Sequence, residues 1–393
     1  PSVAVFPFRN ISGEPEQDVF AVALSNDIIT GLTQSSHLLV LSFGATSDAG
    51  DSEDDIVAHG RKLNAKYVLR GSVRQAGDQL RVSAHLLQTD SGMEIWSEKY
   101  DRALNADQLF AIQDEIRERI VATLSDLHGV IYSSQAKQVH RRPTEKLEAY
   151  EHLAIALEYD KYISPENHLK ARENLEQAVI LDPRYDEAWS HLSWIYTDEW
   201  VYGFNTLPDA PKRALDAALK GIQLAPDNYH NHWLLSRVYY FNGNLEGFRA
   251  ESQRALELNA RDGTTLGLIG LYTAWSGDWE YGIGMLEKAK QLNPNYPPYY
   301  HVAIGTWHYQ QQDYTRALEE FTRANLPDWP VNAILLAATH AELGQIEQAA
   351  QQVESLKKIG GPDKSDAVRD YLSDLLPFLP EMVDRLASHS IWK

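Results

Sequence analysis

The sequence predicts an α+β amino-terminal domain, with a mixed sheet, followed by an all-α superhelical solenoid of helix pairs. Two observations carry this. The first third alternates short apolar runs of period two with stretches of helical period, in the order β-α-β-α-β-β-β-α. The rest repeats with a period of about 34 residues. Gly243 and Gly277 mark turns one period apart, and Gly344 falls about two periods further on. Ala255, Ala289 and Ala324 follow at a nearly fixed offset, where two helices can approach closely only if side chains are short.

The elements read as follows. Ser2–Phe8 is an apolar strand, broken by the loop Arg9–Pro15. Asp18–Leu32 carries Phe20, Leu24, Ile28, Ile29 and Leu32 at helical spacing. Leu38–Leu41 is a second strand, and Gly44–Asp55 is small and acidic, a loop composition. Ile56–Leu63 is a short helix. Tyr67–Val73 and Leu80–Leu87 alternate around Gly77-Asp78, a hairpin signature. Ile95–Tyr100 adds a strand, and Leu109–Leu127 is an amphipathic helix. The polar, basic stretch Gln135–Thr144 ends near Pro143 and places a boundary. The expected division is residues 1–139, a linker at 140–146, and a solenoid over 147–393. Its pairs are expected at Leu147–Tyr159 with Glu166–Leu181, Asp186–Tyr196 with Pro211–Leu224, His230–Leu258, Thr265–Leu292, Pro298–Ala324 and Asn332–Lys358. Prolines such as Pro183, Pro226 and Pro294 stop the second helices and let the chain turn back. A last apolar stretch, Ala367–Leu376 and on to Leu386, is expected to cap the open end.

The second part thus has the tetratricopeptide pattern. The first resembles the TolB-like amino-terminal domain, on Val3–Phe8, Asn10–Gln17, Tyr67–Val73, Ile95–Asp101 and Phe110–Ile116. That domain accompanies bacterial class III adenylate/guanylate cyclases, and a related one follows the membrane helix of CadC-like winged-helix regulators. The openings Arg142–Tyr150 and Leu335–Gly344 resemble the repeats of the cyclase-associated chains. The resemblance implies a small mixed-sheet domain without catalytic residues. Its loop Phe43–Asp54 is more acidic and less aromatic here than in the relatives.

Net charge is −19, and the excess acid is concentrated in residues 144–393, which argues against a nucleic-acid surface or docking on anionic lipid. No cysteine is present, which excludes disulfides, thiolate zinc sites and thiol nucleophiles. No apolar run is long enough to span a bilayer, and no signal peptide is apparent. A chain starting at Pro1 in a strand pattern reads as a piece of a longer or processed protein. His230-Asn231-His232 spells a nuclease motif but opens a solenoid helix, and His301 and His308 share a helix face without a third ligand. Glu14 and Glu16 flank a proline in a loop and have no pocket for acid/base work. No P-loop, Gly-rich dinucleotide fingerprint or nucleophile elbow occurs. No cofactor is expected.

The expectation is therefore a non-catalytic regulatory module, cytoplasmic or alternatively periplasmic, within a longer signalling protein. The leading form is a class III cyclase; the alternatives are the sensor region of a CadC-like regulator and a stand-alone scaffold. A protein or peptide, another domain of the same polypeptide or a small ligand would bind the concave face, and a homodimer is an option. The candidate contact residues are Trp194, Trp233, Arg237, Tyr240, Trp275, Tyr299 and Tyr309 on the first helices of the pairs. Trp200, Tyr202 and Phe204 join them from an aromatic insert between the helices of the second pair. Large aromatics with an Arg are what binding hot spots use.

Overall fold

The computed structural model describes residues 1–35, 38–47, 53–103, 108–125, 129–131, 133–134, 148–161, 163–259, 262–293 and 296–392. The expected linker at 140–146, the start of the first pair at Leu147 and the stop at Pro294 lie outside them. The chain divides into two compact units, the first built mainly from residues 1–134 and the second from most of the remainder.

In the first unit, strands β1 (Ser2–Val5), β2 (Arg9–Asn10), β3 (Leu39–Val40), β4 (Tyr67–Ala76), β5 (Gln79–Gln88) and β6 (Glu94–Ala103) form one mixed sheet in the order β3-β1-β4-β5-β6. β1 runs parallel to β3 and β4, and β4, β5 and β6 are antiparallel. The expected strand Ser2–Phe8 is shorter than its apolar run. Pro7 has no N–H for the ladder, and the Phe8 N–H leaves it to reach the buried Ser25 Oγ at 2.8 Å. The chain then rejoins β4 as β2, within the stretch expected to be loop. Phe8 lies over Gly71, where any Cβ would come within 2.3 Å of its ring. Helices α1 (Glu16–Leu32) and α4 (Leu109–Ser125) cover one face, joining Leu24 and Ile28 to Ile116 and Ile120 in one core. A one-turn helix, α2 (Phe43–Thr46), occupies part of the expected acidic loop. It is anchored by a buried hydrogen bond from Thr46 Oγ1 to the Val5 carbonyl, 2.7 Å. Helix α3 (Glu53–Lys62) puts Ile56 with Ala4, Phe6 and Val68 in a second, smaller core.

The second unit is a stack of helix pairs: α5 (Ala149–Ala156) with α6 (Pro165–Leu181), α7 (Asp186–Val201) with α8 (Ala210–Leu224), α9 (Tyr229–Phe241) with α10 (Leu245–Leu258), α11 (Gly263–Trp275) with α12 (Trp279–Leu292), α13 (Tyr300–Gln310) with α14 (Tyr314–Ala324), and α15 (Pro330–Glu342) with α16 (Ile346–Lys358). Helices α17 (Ser365–Leu375) and α18 (Pro380–Ala387) and a 3₁₀ turn follow. Local chemistry sets the ends. Ser164, Asn228, Asn244, Asp262 and Asp313 accept backbone N–H bonds as N-caps. Gly243, Gly277 and Gly344 take φ of 72°, 100° and 73° in the turns inside their pairs. Ala255, Ala289 and Ala324 are buried at the contacts between helices. The carboxy-terminal stretch does more than the expected capping. α18 and the 3₁₀ turn pack on the last pair, but α17 reaches back against α7 of the second.

Candidate interaction surface

The first helices of successive pairs neighbour one another, α7 with α9, α9 with α11, α11 with α13 and α13 with α15. Their common side forms the inner face of the stack. At its centre sits a buried ion pair. Asp198, near the end of α7, and Arg237 of α9 are each about 1% exposed and are joined from Oδ1 to Nη2. The carboxylate also accepts hydrogen bonds from the Tyr159 hydroxyl and the Trp194 indole, both at 2.9 Å on Oδ2. The guanidinium donates from Nε to the Tyr272 hydroxyl of α11 at 2.8 Å. It lies 5.0 Å from the Trp194 ring and 4.9 Å from the Phe241 ring, within cation–π range. One charge pair therefore ties four successive pairs together. Burial opposes the charge on Arg237, but Asp198 and the surrounding tyrosines outweigh it and hold the guanidinium well above its ordinary value. Burial, then the Asp198 charge, pushes the Tyr159 phenol far up, so it stays a donor.

A second cluster lies one residue on. Glu199 is fully buried and pairs with Arg172 at 3.0 Å and with Arg213. Its Oε2 accepts the Leu207 N–H at 3.1 Å, its carbonyl accepts Thr206 Oγ1 at 2.6 Å, and Arg172 also donates to the Asn205 carbonyl at 2.8 Å. The consecutive acids at the end of α7 thus serve different masters: Asp198 binds the inner face, and Glu199 clamps the insert. The insert itself is shorter than expected, because α7 continues through Val201.

The ten sequence-predicted residues fall into three groups. Trp194, Trp233, Arg237, Tyr240 and Trp275 come together around the ion pair, and all but the half-buried Trp194 are buried. Trp233 meets Trp194 edge to face at 5.4 Å. Tyr240 lies 4.9 Å from Tyr272 and 5.2 Å from Phe378, which follows α17. Tyr299 and Tyr309 lie further along on α13 and its start. Tyr309 is buried beneath Arg385 of α18, which sits 4.4 Å over its ring and donates to its carbonyl at 2.8 Å. In the insert, Tyr202 touches Phe204 at 5.5 Å and Trp329, before α15, at 6.2 Å. Trp200 instead packs against the cluster of Ala214, Ala218, Leu235 and Val238.

Much of this surface is covered by the chain's own tail. Phe378 and Arg385 occupy it, and Tyr371 of α17 is close enough to Asp198 that burial and then that charge raise its phenol. Sequence reading missed Asp198, Glu199 and the tail residues. The sole signal was two adjacent acids in an otherwise aromatic helix end, which alone reads as solvated charge.

Asn231, His232 and His301 have structural partners. Asn231, between the two of the His-Asn-His triplet, joins three helices: it accepts from Ser190 Oγ at 2.7 Å and donates to Asp186 at 2.9 Å and the Gly221 carbonyl at 3.0 Å. His232 lies between Glu251 at 2.6 Å and the Pro226 carbonyl at 2.7 Å, and His301 between Glu320 at 2.6 Å and the Tyr296 hydroxyl at 3.1 Å. Among the described residues no helix is long and apolar enough to cross a membrane.

Comparison with known proteins adds two sequence likenesses. Residues 1–119 match the family model of the second domain of HilA/YgeH-like transcriptional regulators. A Rhizobium meliloti protein named "Putative adenylate cyclase 3" is 31% identical over 237 residues, which is 60% of this chain and 40% of that one. The chain thus spans well under half of the curated relative it matches. Among solved structures, TolB from Acinetobacter baumannii is similar at 17% identity and a TM-score of 0.23, over 31% of this chain and 26% of that one. PilF from Pseudomonas aeruginosa is similar at 17% identity and a TM-score of 0.37, over 54% of this chain and 91% of that one.

Proposed function

We propose that this chain is a non-catalytic regulatory module of a longer signalling protein of the adenylate cyclase kind, and that it acts by binding a protein or peptide. The observation that carries the reading is the 31% identity to the Rhizobium cyclase over 237 residues, a stretch too long to be one shared motif. A stack of helix pairs supports it, because such stacks present extended surfaces to partners. Trp194, Trp200 and Tyr202 are only partly buried and are the members of the predicted contact set that keep some accessible surface; the buried Trp233 packs on Trp194 and the buried Phe204 on Tyr202. The test is direct. The purified chain incubated with ATP and Mg²⁺ or Mn²⁺ is expected to form no cyclic AMP. In the longer protein, deletion of this region should change the rate or the responsiveness of cyclase activity. Cyclic AMP made by the isolated chain, or activity of the longer protein indifferent to the deletion, would overturn the proposal.

The match of residues 1–119 to a transcriptional-regulator domain supports a second reading, the sensor part of a DNA-binding regulator. Sequence-specific DNA binding by the longer protein, without cyclase activity, would select it.

A further inference from the structure

We infer that α12 is the contact surface for a second copy of this chain, packed antiparallel to itself about a two-fold axis at Gly284. The inference concerns self-association and does not depend on the proposed function.

It begins with a glycine the chain itself does not explain. A glycine inside a helix costs about 1 kcal/mol relative to alanine, so it needs a packing reason. Gly270 and Gly282 have one: a Cβ on Gly282 would lie 2.4 Å from the Ala274 nitrogen, and one on Gly270 would lie 2.8 Å from the Gly282 carbonyl oxygen. Gly284 has none. It is exposed, and a Cβ there would meet nothing within 4 Å. It opens onto a cleft of about 480 Å³ between α10, α11 and α12, floored by Leu256, Leu266 and Met285.

Charge is the second observation. Glu280 and Lys288 stand one turn before and one turn after Gly284, on the same side of the helix, and both line the cleft. Among the described residues neither has an ion-pair partner, although their neighbour Glu287 pairs with Lys290 at 3.1 Å. Tyr281, on the same rim, is 59% exposed.

An isologous contact must complement itself: residue i meets j, and j meets i. Two antiparallel copies of α12 centred on Gly284 satisfy this. Glu280 of each copy faces Lys288 of the other, Gly284 meets Gly284 at the crossing and lets the helices approach closely, and each Tyr281 falls over the apolar cleft of the other copy. The occupant is therefore a second copy, chosen by an acid and a base placed symmetrically about a small residue.

Sedimentation velocity from low- to high-micromolar protein tests this. The wild-type chain is expected to dimerise with concentration. Gly284→Leu should be monomeric while melting at or above the wild-type temperature, because the added side chain enters open space and improves helix propensity. Lys288→Glu and Glu280→Lys should each weaken the dimer by about tenfold or more, since each sets like charges together. The double variant E280K/K288E should recover it. A chain that stays monomeric throughout, a dimer that Gly284→Leu leaves intact, or a double variant no tighter than the single ones would each overturn the inference.

Discussion

Replacing Arg237 by Met keeps most of the side chain's bulk and removes its charge. Asp198 would then remain about 1% exposed, with the Tyr159 and Trp194 donors but no counter-ion. Breaking a buried ion pair from one side costs about 3–5 kcal/mol, because the remaining charge stays buried and uncompensated. A unit of this size loses roughly 2–4 °C per kcal/mol, so the melt should fall by about 10 °C. The loss should be insensitive to salt, because a pair enclosed by Trp194, Phe241 and Tyr272 is little screened. Asp198→Asn should cost a similar amount for the mirror reason. The double variant is the decisive measurement. With both charges gone nothing is left uncompensated, so R237M/D198N should be less destabilised than the sum of the two single changes by about 2 kcal/mol or more. Urea unfolding followed by tryptophan fluorescence reads all three, since Trp194 and Trp233 border the site. A loss below about 1 kcal/mol for Arg237→Met, or strict additivity in the double variant, would refute the claim that this pair ties the inner face together.

Gly282→Ala should cost about 1–3 kcal/mol in the same assay, because its Cβ would meet backbone that cannot move aside. Gln312 occupies, with φ 62°, the turn position that glycine fills in the third, fourth and sixth pairs, so Gln312→Gly should stabilise by about 0.5–1 kcal/mol. His232 gives a pH dependence. Burial alone would lower its pKa, but its bonds to Glu251 and the Pro226 carbonyl raise it above the ordinary value of about 6.5. Its contribution is therefore complete below that value and fades as the pH climbs through the raised one. The stability gap between wild type and His232→Gln should be widest near pH 6 and narrow under alkaline conditions, and a gap that widens with pH would be the wrong sign.

Much of the fold could be read from residue order, because local rules decided it. The repeated glycines announced turns that need positive φ, and the buried alanines announced helix contacts. Where reading failed, a long-range partner had overruled the local pattern. The Val3–Phe8 run looks like one strand, but Pro7 cannot donate to the ladder and Phe8 is claimed by Ser25, far away in sequence. The four-residue helix at Phe43–Thr46 has no periodicity to reveal it; bonds from Thr46 to the Val5 carbonyl and from the His59 ring to the Ala45 carbonyl fix it. Tertiary contact of this kind leaves no mark on nearby residues.

The candidate surface was legible in the same partial way. Periodicity placed Trp194, Trp233, Arg237 and Tyr240 on the inner side, because position within a helix pair is a local property. It could not reveal what would cover them. That depends on the carboxy-terminal helices, whose composition fits an end cap as well as a segment laid along the inner face. Phe378 against Tyr240 and Arg385 against Tyr309 are an aromatic and an arginine, the side chains a partner would be expected to bring. The tail meets the aromatic face with the chemistry that made that face look like a binding site. A partner directed at Tyr240 or Tyr309 would thus have to displace Phe378 or Arg385 first. One directed at the half-buried Trp194, or at the Tyr202 insert that Glu199 holds in place, would find part of its target already accessible.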